Sequence, residues 1–265
     1  MSSLEAGRHR PVKSALRTLE ILEHLAVAQE PRTLGEIAGD LRIPKSSLHV
    51  ILRTMEDKGW VETDGTAHRF RLGVRALQVG TAYVETDDVA ILAGDTLDWL
   101  VGLLDETVHL GRLDGTDIVY IAKRESSQAL RMFSAVGRRL PAYATALGKA
   151  LLAGLPEERL SEHLPATLEP LTRHTITDRR EFELELASIR ARGYALDNQE
   201  NSEGICCVSV VLPISDPPQD AISYSIPIVR FDGMLREKAL EHLEKARDQI
   251  RARCWPTRGD RPVDR

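Results

Sequence analysis

The chain has 265 residues, a formal net charge of −5 and 42% apolar residues. That length holds two ordinary domains and a linker, and no apolar run approaches the ~20 residues of a membrane helix. Three cysteines, two of them adjacent at Cys206 and Cys207, give neither a disulfide framework nor a spaced zinc set, so no metal and no cofactor is expected.

The opening MSSLEAGRHRPVKS lacks the apolar core of a secretory signal. Residues 1–13 read as a disordered basic arm, and a reducing cytoplasm is the expected compartment. The charge is unevenly spread. Residues 1–80 hold 12 Lys and Arg against 10 Asp and Glu, whereas the rest holds 23 against 30. A basic first part and an acidic second part suit a protein in which only the first meets phosphate.

Ser14 to Ala28 reads as a first helix, capped by Ser14, with Leu16, Leu19, Leu22 and Ala26 on one face. The stretch from Thr33 to Lys58 is a short helix, a tight turn and a longer helix. Thr33 and Glu36 form a capping box, and Pro44 opens the second helix. Leu48, Ile51, Leu52 and Met55 recur at i, i+3, i+4, i+7 as a buried stripe. The opposite face carries Lys45, Ser46, Ser47, His49 and Arg53. Short hydrogen-bonding side chains with basic neighbours are what a recognition helix brings to a major groove. The spacing is equally that of a helical hairpin with a solvated polar face.

Trp60 and Val61 then open a strand, Asp64-Gly65 signals a turn, and Phe70, Arg71 and Leu72 close a second strand. Two helices and a two-stranded ribbon make a winged helix-turn-helix over residues 14–72. His68 and Arg69 stand at the wing tip, with Arg71 beyond, placed to track a phosphate backbone. Residues 73–85 read as a linker helix, and Thr86 to Leu104 continues helically.

From Thr107 the period becomes that of strands. Val108 and Leu110, then Ile118 to Ile121, flank a hairpin turn at Asp114-Gly115. Leu130 to Phe133 is a candidate further strand. Thr145 to Ala153 and Asp178 to Arg192 are helices, the latter with Asp178 and Glu181 as a capping box and Gly193 as its stop. Strands follow from Tyr194, over Ile205–Ile214 and over Ala221–Ile226. A charged helix runs from Asp232 to Arg253, and residues 254–265 read as a disordered tail. Residues 86–253 are therefore an α+β domain with a mainly antiparallel sheet.

In this second domain Gly193, Asp197, Glu200 and Cys207 follow the spacing G-x₃-D-x₂-E-x₆-C. Upstream, LPAYATALGKALLA leads into a helix whose free N–H groups suit a carboxylate. Asp197 can accept from a hydroxyl, and Cys207 offers a weak donor. Together they outline a pocket for a small hydroxylated or oxidised organic acid. Taken singly, a cysteine in an apolar strand is ordinary core, and Asp197 and Glu200 in a loop are ordinarily solvated.

The chain resembles the IclR-type transcriptional regulators from Ser14 to about Arg253. The resemblance rests on ALRTLEIL, LGEIAGDLRIPKSSLHVILRTMEDKGWV, FRLG, ETVHLGRLDG, LPAYATALGKALLA and GYALDNQENSEGICCVS. It implies a one-component regulator. A winged helix-turn-helix binds a palindromic double-stranded operator, a connector helix follows, and a GAF-like domain takes a small organic acid. It also implies a homodimer or homotetramer controlling neighbouring catabolic genes, as repressor or activator. Effector positions carried over are Ala146, Leu147, Asp197 and Cys207, with Ser223 and Ser225. Two departures stand out. Val50 occupies a place where the family commonly has Arg, and Pro213 and Ile214 replace the aromatic and the acidic or amide residue that usually close the last signature.

Two other readings are open to the sequence. One is an enzyme with Cys207 as nucleophile, which needs a nearby base or positive environment; His109, His163 and His174 are distant in sequence and in no catalytic motif. The other is an effectorless architectural DNA binder.

Overall fold

The computed structural model describes residues 11–28, 30–64 and 68–254. The arm expected over 1–13 and the tail expected over 254–265 fall outside these residues, apart from Pro11, Val12, Lys13 and Cys254. So does the wing turn at Gly65. The chain divides into two compact units, Met1–Tyr83 and Val84–Arg265.

The first unit holds α1 (Lys13–Val27), β1 (Arg32–Thr33), α2 (Leu34–Asp40), α3 (Lys45–Asp57), β2 (Val61–Thr63), β3 (Arg69–Leu72) and most of α4 (Val74–Thr86). The capping box forms: Thr33 Oγ1 accepts from Glu36 N–H, and Glu36 accepts from Thr33 N–H at 2.7 Å. Ile21, Leu25, Ile37, Leu48, Leu52 and Met55 close one core. Ser14 does not cap α1. Val12 holds that position, and no side chain bonds there. Leu16 and Leu19, expected in the core, are exposed, because Ile21 and Leu25 point inward instead. The wing also gains a strand, since Arg32 and Thr33 pair with Phe70 and Arg69 to make a three-stranded sheet.

The second unit opens with α5 (Asp88–Leu104). Asp87 takes an extended backbone and caps it through Ala90 N–H, so the expected continuous helix is broken there. Next come β4 (Thr107–Asp114), β5 (Asp117–Arg124) and β6 (Arg139–Pro141), then α6 (Ala146–Ala153), α7 (Glu157–Leu160) and α8 (Arg179–Arg192). β7 (Ala195–Asn198), β8 (Ile205–Leu212), β9 (Asp220–Pro227) and α9 (Gly233–Cys254) complete the unit. The sheet runs β6-β5-β4-β9-β8-β7, with every described pair antiparallel. Even-numbered residues of β8 and β9 (Val208, Val210, Ile222, Tyr224) pack with α5 and α9. The other face packs Ala195, Ala221 and Ile118 with α6 and α8.

Leu130–Phe133 is not a strand. The outer edge of β5 is taken by residues 139–141, which leaves Leu130 and Phe133 exposed. Asp178 accepts from Glu181 N–H and caps α8, and Gly193 stops it in the left-handed region at φ 82°. Pro213 stands just past the end of β8, and Ile214 packs toward the α5–α9 core.

Candidate DNA interface and effector pocket

Helix α3 buries Leu48, Leu52 and Met55 and leaves Ile51 only partly covered. Lys45, Ser46, His49 and Arg53 are exposed, and Ser47 is half-buried. Ser46, His49, Val50 and Arg53 fall at i, i+3, i+4, i+7 and so share one face. Val50, which the sequence reading noted only as a departure, is 64% exposed in the middle of that face. An apolar side chain there suits a thymine methyl group. Among the described residues no ion pair engages Lys45 or Arg53, so both cations are free for phosphate or base edges.

The wing is more tied down. Arg69 Nη1 donates to Pro31 O at 3.0 Å and lies 4.0 Å from Glu36. Arg71 pairs with Glu62 at 3.1 Å. The Arg69 contacts hold the ribbon against the residues leading into β1 and α2, and the Arg71 pair ties β3 to β2. Arg42 was missed by the sequence reading. It is exposed in the α2–α3 turn at φ 52°, one more cation beside the N-terminus of α3.

The second site is built by strand register. Asp197 lies opposite Cys207, and Cys207 opposite Ser225. One row further, Ser209 lies opposite Ser223, and Ser223 opposite His109. Side chains alternate along a strand, so all of these project from one face. That face is covered by the start of α6. The sheet thus carries a buried polar patch where its neighbours are apolar.

Ala146, Leu147, Asp197, Cys207, Ser223 and Ser225 line one cavity, together with Tyr120, Met132, Thr145 and the turn at Asn201-Ser202. Its free space is about 10 Å³, roughly one water's worth. Thr145 caps α6 through Gly148 N–H at 3.0 Å. By helix geometry this leaves Ala146 and Leu147 N–H without an intrahelical acceptor. Gly148 is required here, because a Cβ would sit 2.1 Å from Ala142 O.

Charge in the pocket is arranged around Asp197. Its Oδ1 accepts from Glu200 N–H at 2.6 Å. Burial, reinforced by the Glu200 carboxylate, pushes Asp197 up to about 7. Glu200 is raised by burial too, and Lys149 opposes the rise. The fully buried Lys149 donates to Glu200 Oε1 at 2.6 Å. In the sequence this lysine stands inside LPAYATALGKALLA with nothing to mark a role. Thr172 and Thr175 donate to the carbonyls of Gln199 and Glu200 and fix the turn.

Burial, then Asp197, raises the Cys207 thiol well above its ordinary range. It stays protonated and donates to Ser225 Oγ at 3.3 Å. This is the opposite of an activated nucleophile. His163 and His174 are not in the cavity wall; His109 reaches Cys207 only through Ser225.

A family model described as Bacterial transcriptional regulator IclR C-terminal matches residues 81–252, and one described as IclR helix-turn-helix domain matches residues 14–65. HTH-type transcriptional regulator KdgR of Escherichia coli (strain K12) is 33% identical over 91% of this chain and 92% of its own. HTH-type transcriptional regulator Rv1719 of Mycobacterium tuberculosis is 38% identical over 84% of this chain and 85% of its own. The solved IclR of Thermotoga maritima is 31% identical, with a TM-score of 0.69 over 91% of this chain and 98% of its own. An IclR homolog from Microbacterium hydrocarbonoxydans, complexed with 4-hydroxybenzoate, has the same fold at 22% identity, with a TM-score of 0.74 over 90% and 98%.

Proposed function

Because the chain belongs to the IclR family of transcriptional regulators, we propose that it is a one-component cytoplasmic switch: a palindromic operator at one end, a small organic acid at the other. Membership makes it a DNA-binding regulator with an effector-binding domain, and no enzyme.

The observation that carries the effector reading is the cross-strand row Asp197–Cys207–Ser225 facing the N-terminus of α6. The ligand's carboxylate meets Ala146 and Leu147 N–H, where the helix dipole favours an anion. Asp197, raised to about 7, donates to a carbonyl oxygen when protonated and accepts from a hydroxyl when ionised. Ser223 and Ser225 floor the site, and Leu147 and Ile205 supply apolar wall. The acid bound by the Microbacterium protein is of this chemical kind. Pyruvate, lactate and 4-hydroxybenzoate, titrated by calorimetry, test the reading. At least one binds the native chain and fails to bind Asp197→Ala. Failure of all three, or equal binding by the variant, sinks it.

At the DNA end Ser46, Ser47, His49 and Arg53 read base edges, and Lys45 and Arg69 hold phosphate, Arg69 from the turn end of the wing. One winged helix reads too few base pairs for an operator, so the working unit is a two-fold dimer with half-sites about one helical turn apart, or a multiple of that. Helix α4 buries none of its residues and exposes Leu77, Val79 and Tyr83, which suits a second copy; pairing of effector domains would extend the dimer to a tetramer. Arg53→Ala should cost about 1–3 kcal/mol on operator and flatten base preference. Sedimentation of the complex should give at least two chains per palindrome. Unchanged preference, or a monomer on the operator, would overturn this part.

A further inference from the structure

His109 is fully buried in β4 between the pocket and the 125–138 segment. Its ring stacks on Tyr120, with centroids 4.2 Å apart. Nδ1 lies 3.2 Å from Ser225 Oγ, and Nε2 lies 2.8 Å from Ser134 Oγ. Ser225 lines the cavity and already receives the Cys207 thiol. Burial, then the charges of Lys123 and Arg138, push His109 down to about 3, so the ring is neutral at physiological pH.

We propose that His109 is a positioning residue for the effector, held as the Nδ1–H tautomer so that Ser225 presents its hydroxyl proton to the ligand. The inference rests on the effector reading above and adds the polarity of the pocket floor. A neutral imidazole has one donor and one acceptor nitrogen, which leaves two arrangements. With the proton on Nε2, Ser225 spends its own proton on Nδ1 and shows the pocket a lone pair. In that arrangement the buried Ser134 hydroxyl receives a proton and has no acceptor for its own among the described residues. A buried donor without a partner is costly. With the proton on Nδ1, Ser134 donates to Nε2, and Ser225 Oγ accepts from both Nδ1 and Cys207. Of the donors on His109, Ser134, Ser225 and Cys207, the Ser225 proton alone is then left without a partner among the described residues. Among the described residues Ser225 Oγ bonds to His109 and Cys207, whose sulfur is a weak acceptor, so the strong acceptor left for this proton is the occupant of the cavity. The floor therefore selects a ligand carrying an oxygen acceptor, such as a carboxylate or ketone, at this point.

The test is ¹⁵N NMR of the ligand-free, histidine-labelled full chain, with His109 assigned by the signals lost in His109→Asn. The expected spectrum has a protonated Nδ1 and a bare Nε2. A protonated Nε2, or a ring averaged between the two forms, overturns the proposal without any ligand. Two variants add a second readout, with pyruvate as probe. An Asn amide nitrogen falls near the place of Nδ1 and a Gln amide nitrogen near that of Nε2. His109→Asn should keep pyruvate affinity, whereas His109→Gln should lose about tenfold or more. Equal affinity in both variants, whether retained or lost, contradicts the assigned role. Absence of pyruvate binding in the native chain counts against the effector reading for that acid, and the tautomer is still decided by the spectrum. If His109→Gln fails to fold, the spectrum alone decides.

Discussion

Asp197 titrates differently in the folded and in the unfolded chain. Its ordinary value is 3.8, and burial followed by the charge of Glu200 takes it to about 7 in the fold. Between these two values the unfolded chain has released its proton while the folded chain keeps it. Stability is therefore undiminished at or below 3.8, falls as pH rises toward 7, and stays lower above. Asp197→Asn keeps an oxygen to accept Glu200 N–H and removes the titration. It should stabilise the protein at pH 8 by up to roughly 4 kcal/mol and change little at pH 4. Chemical denaturation of both proteins at each pH reads this directly, and the opposing titration of His109 cancels in the comparison. Equal effects at the two pH values would contradict a proton held by Asp197. Lys149 and Glu200 face the same carboxyl, and the neutral thiol of Cys207 adds no charge. This residue was legible in the sequence through its spacing to Cys207. His109 was not, because a lone histidine in an apolar strand looks like any core position, and its serine partners lie 25 and 116 residues away.

At the scale of elements, β4 and β9 do two things. One end of the pair carries His109, Ser223 and Ser225. The other carries Arg112 and Asp220, which bond through Arg112 Nε at 2.7 Å, and the same guanidinium reaches Asp87, the cap of α5. One cation thus ties the corner between α4 and α5 to the strands that floor the pocket. Both carboxylates are buried, while Arg112 keeps 22% of its side chain in water. Arg112→Ala should therefore cost about 3 kcal/mol, the low end for breaking a buried pair. Hydrogen exchange should rise first at the start of α5. A loss below about 0.5 kcal/mol, the size of an exposed pair, would show that the corner does not depend on this cation. The sequence exposed most of these elements: α2, α3, α6 and α8 through their caps and periods, β4 and β5 through their turn. It hid β1 and β6, because strands of two or three residues are defined by the edge they join and not by their own pattern. Leu130–Phe133 misled for the same reason. It is apolar enough for a strand, and the edge it needed was already occupied.

At the scale of the molecule, an effector controls DNA only if it prefers one arrangement of the two winged helices, since equal affinity for both arrangements shifts nothing. The two units are joined through α4, with Asp87 at its end and no side chain of its own buried. In our account this helix carries the preference from the pocket to the operator. A coupling of about 1–3 kcal/mol is enough for control, and it must be reciprocal. The division into a helix-turn-helix part and an α+β part was legible because charge, period and motifs all change along the chain. The size of the coupling is not, because it belongs to a difference between two states and to no single residue. The most direct measurement is calorimetry of the bound acid, titrated into the free protein and into its complex with an operator duplex. The account predicts affinities that differ by roughly 5- to 150-fold, matched by the acid's effect on operator binding. Equal affinities in the two titrations would leave the second unit an assembly module and contradict the switch.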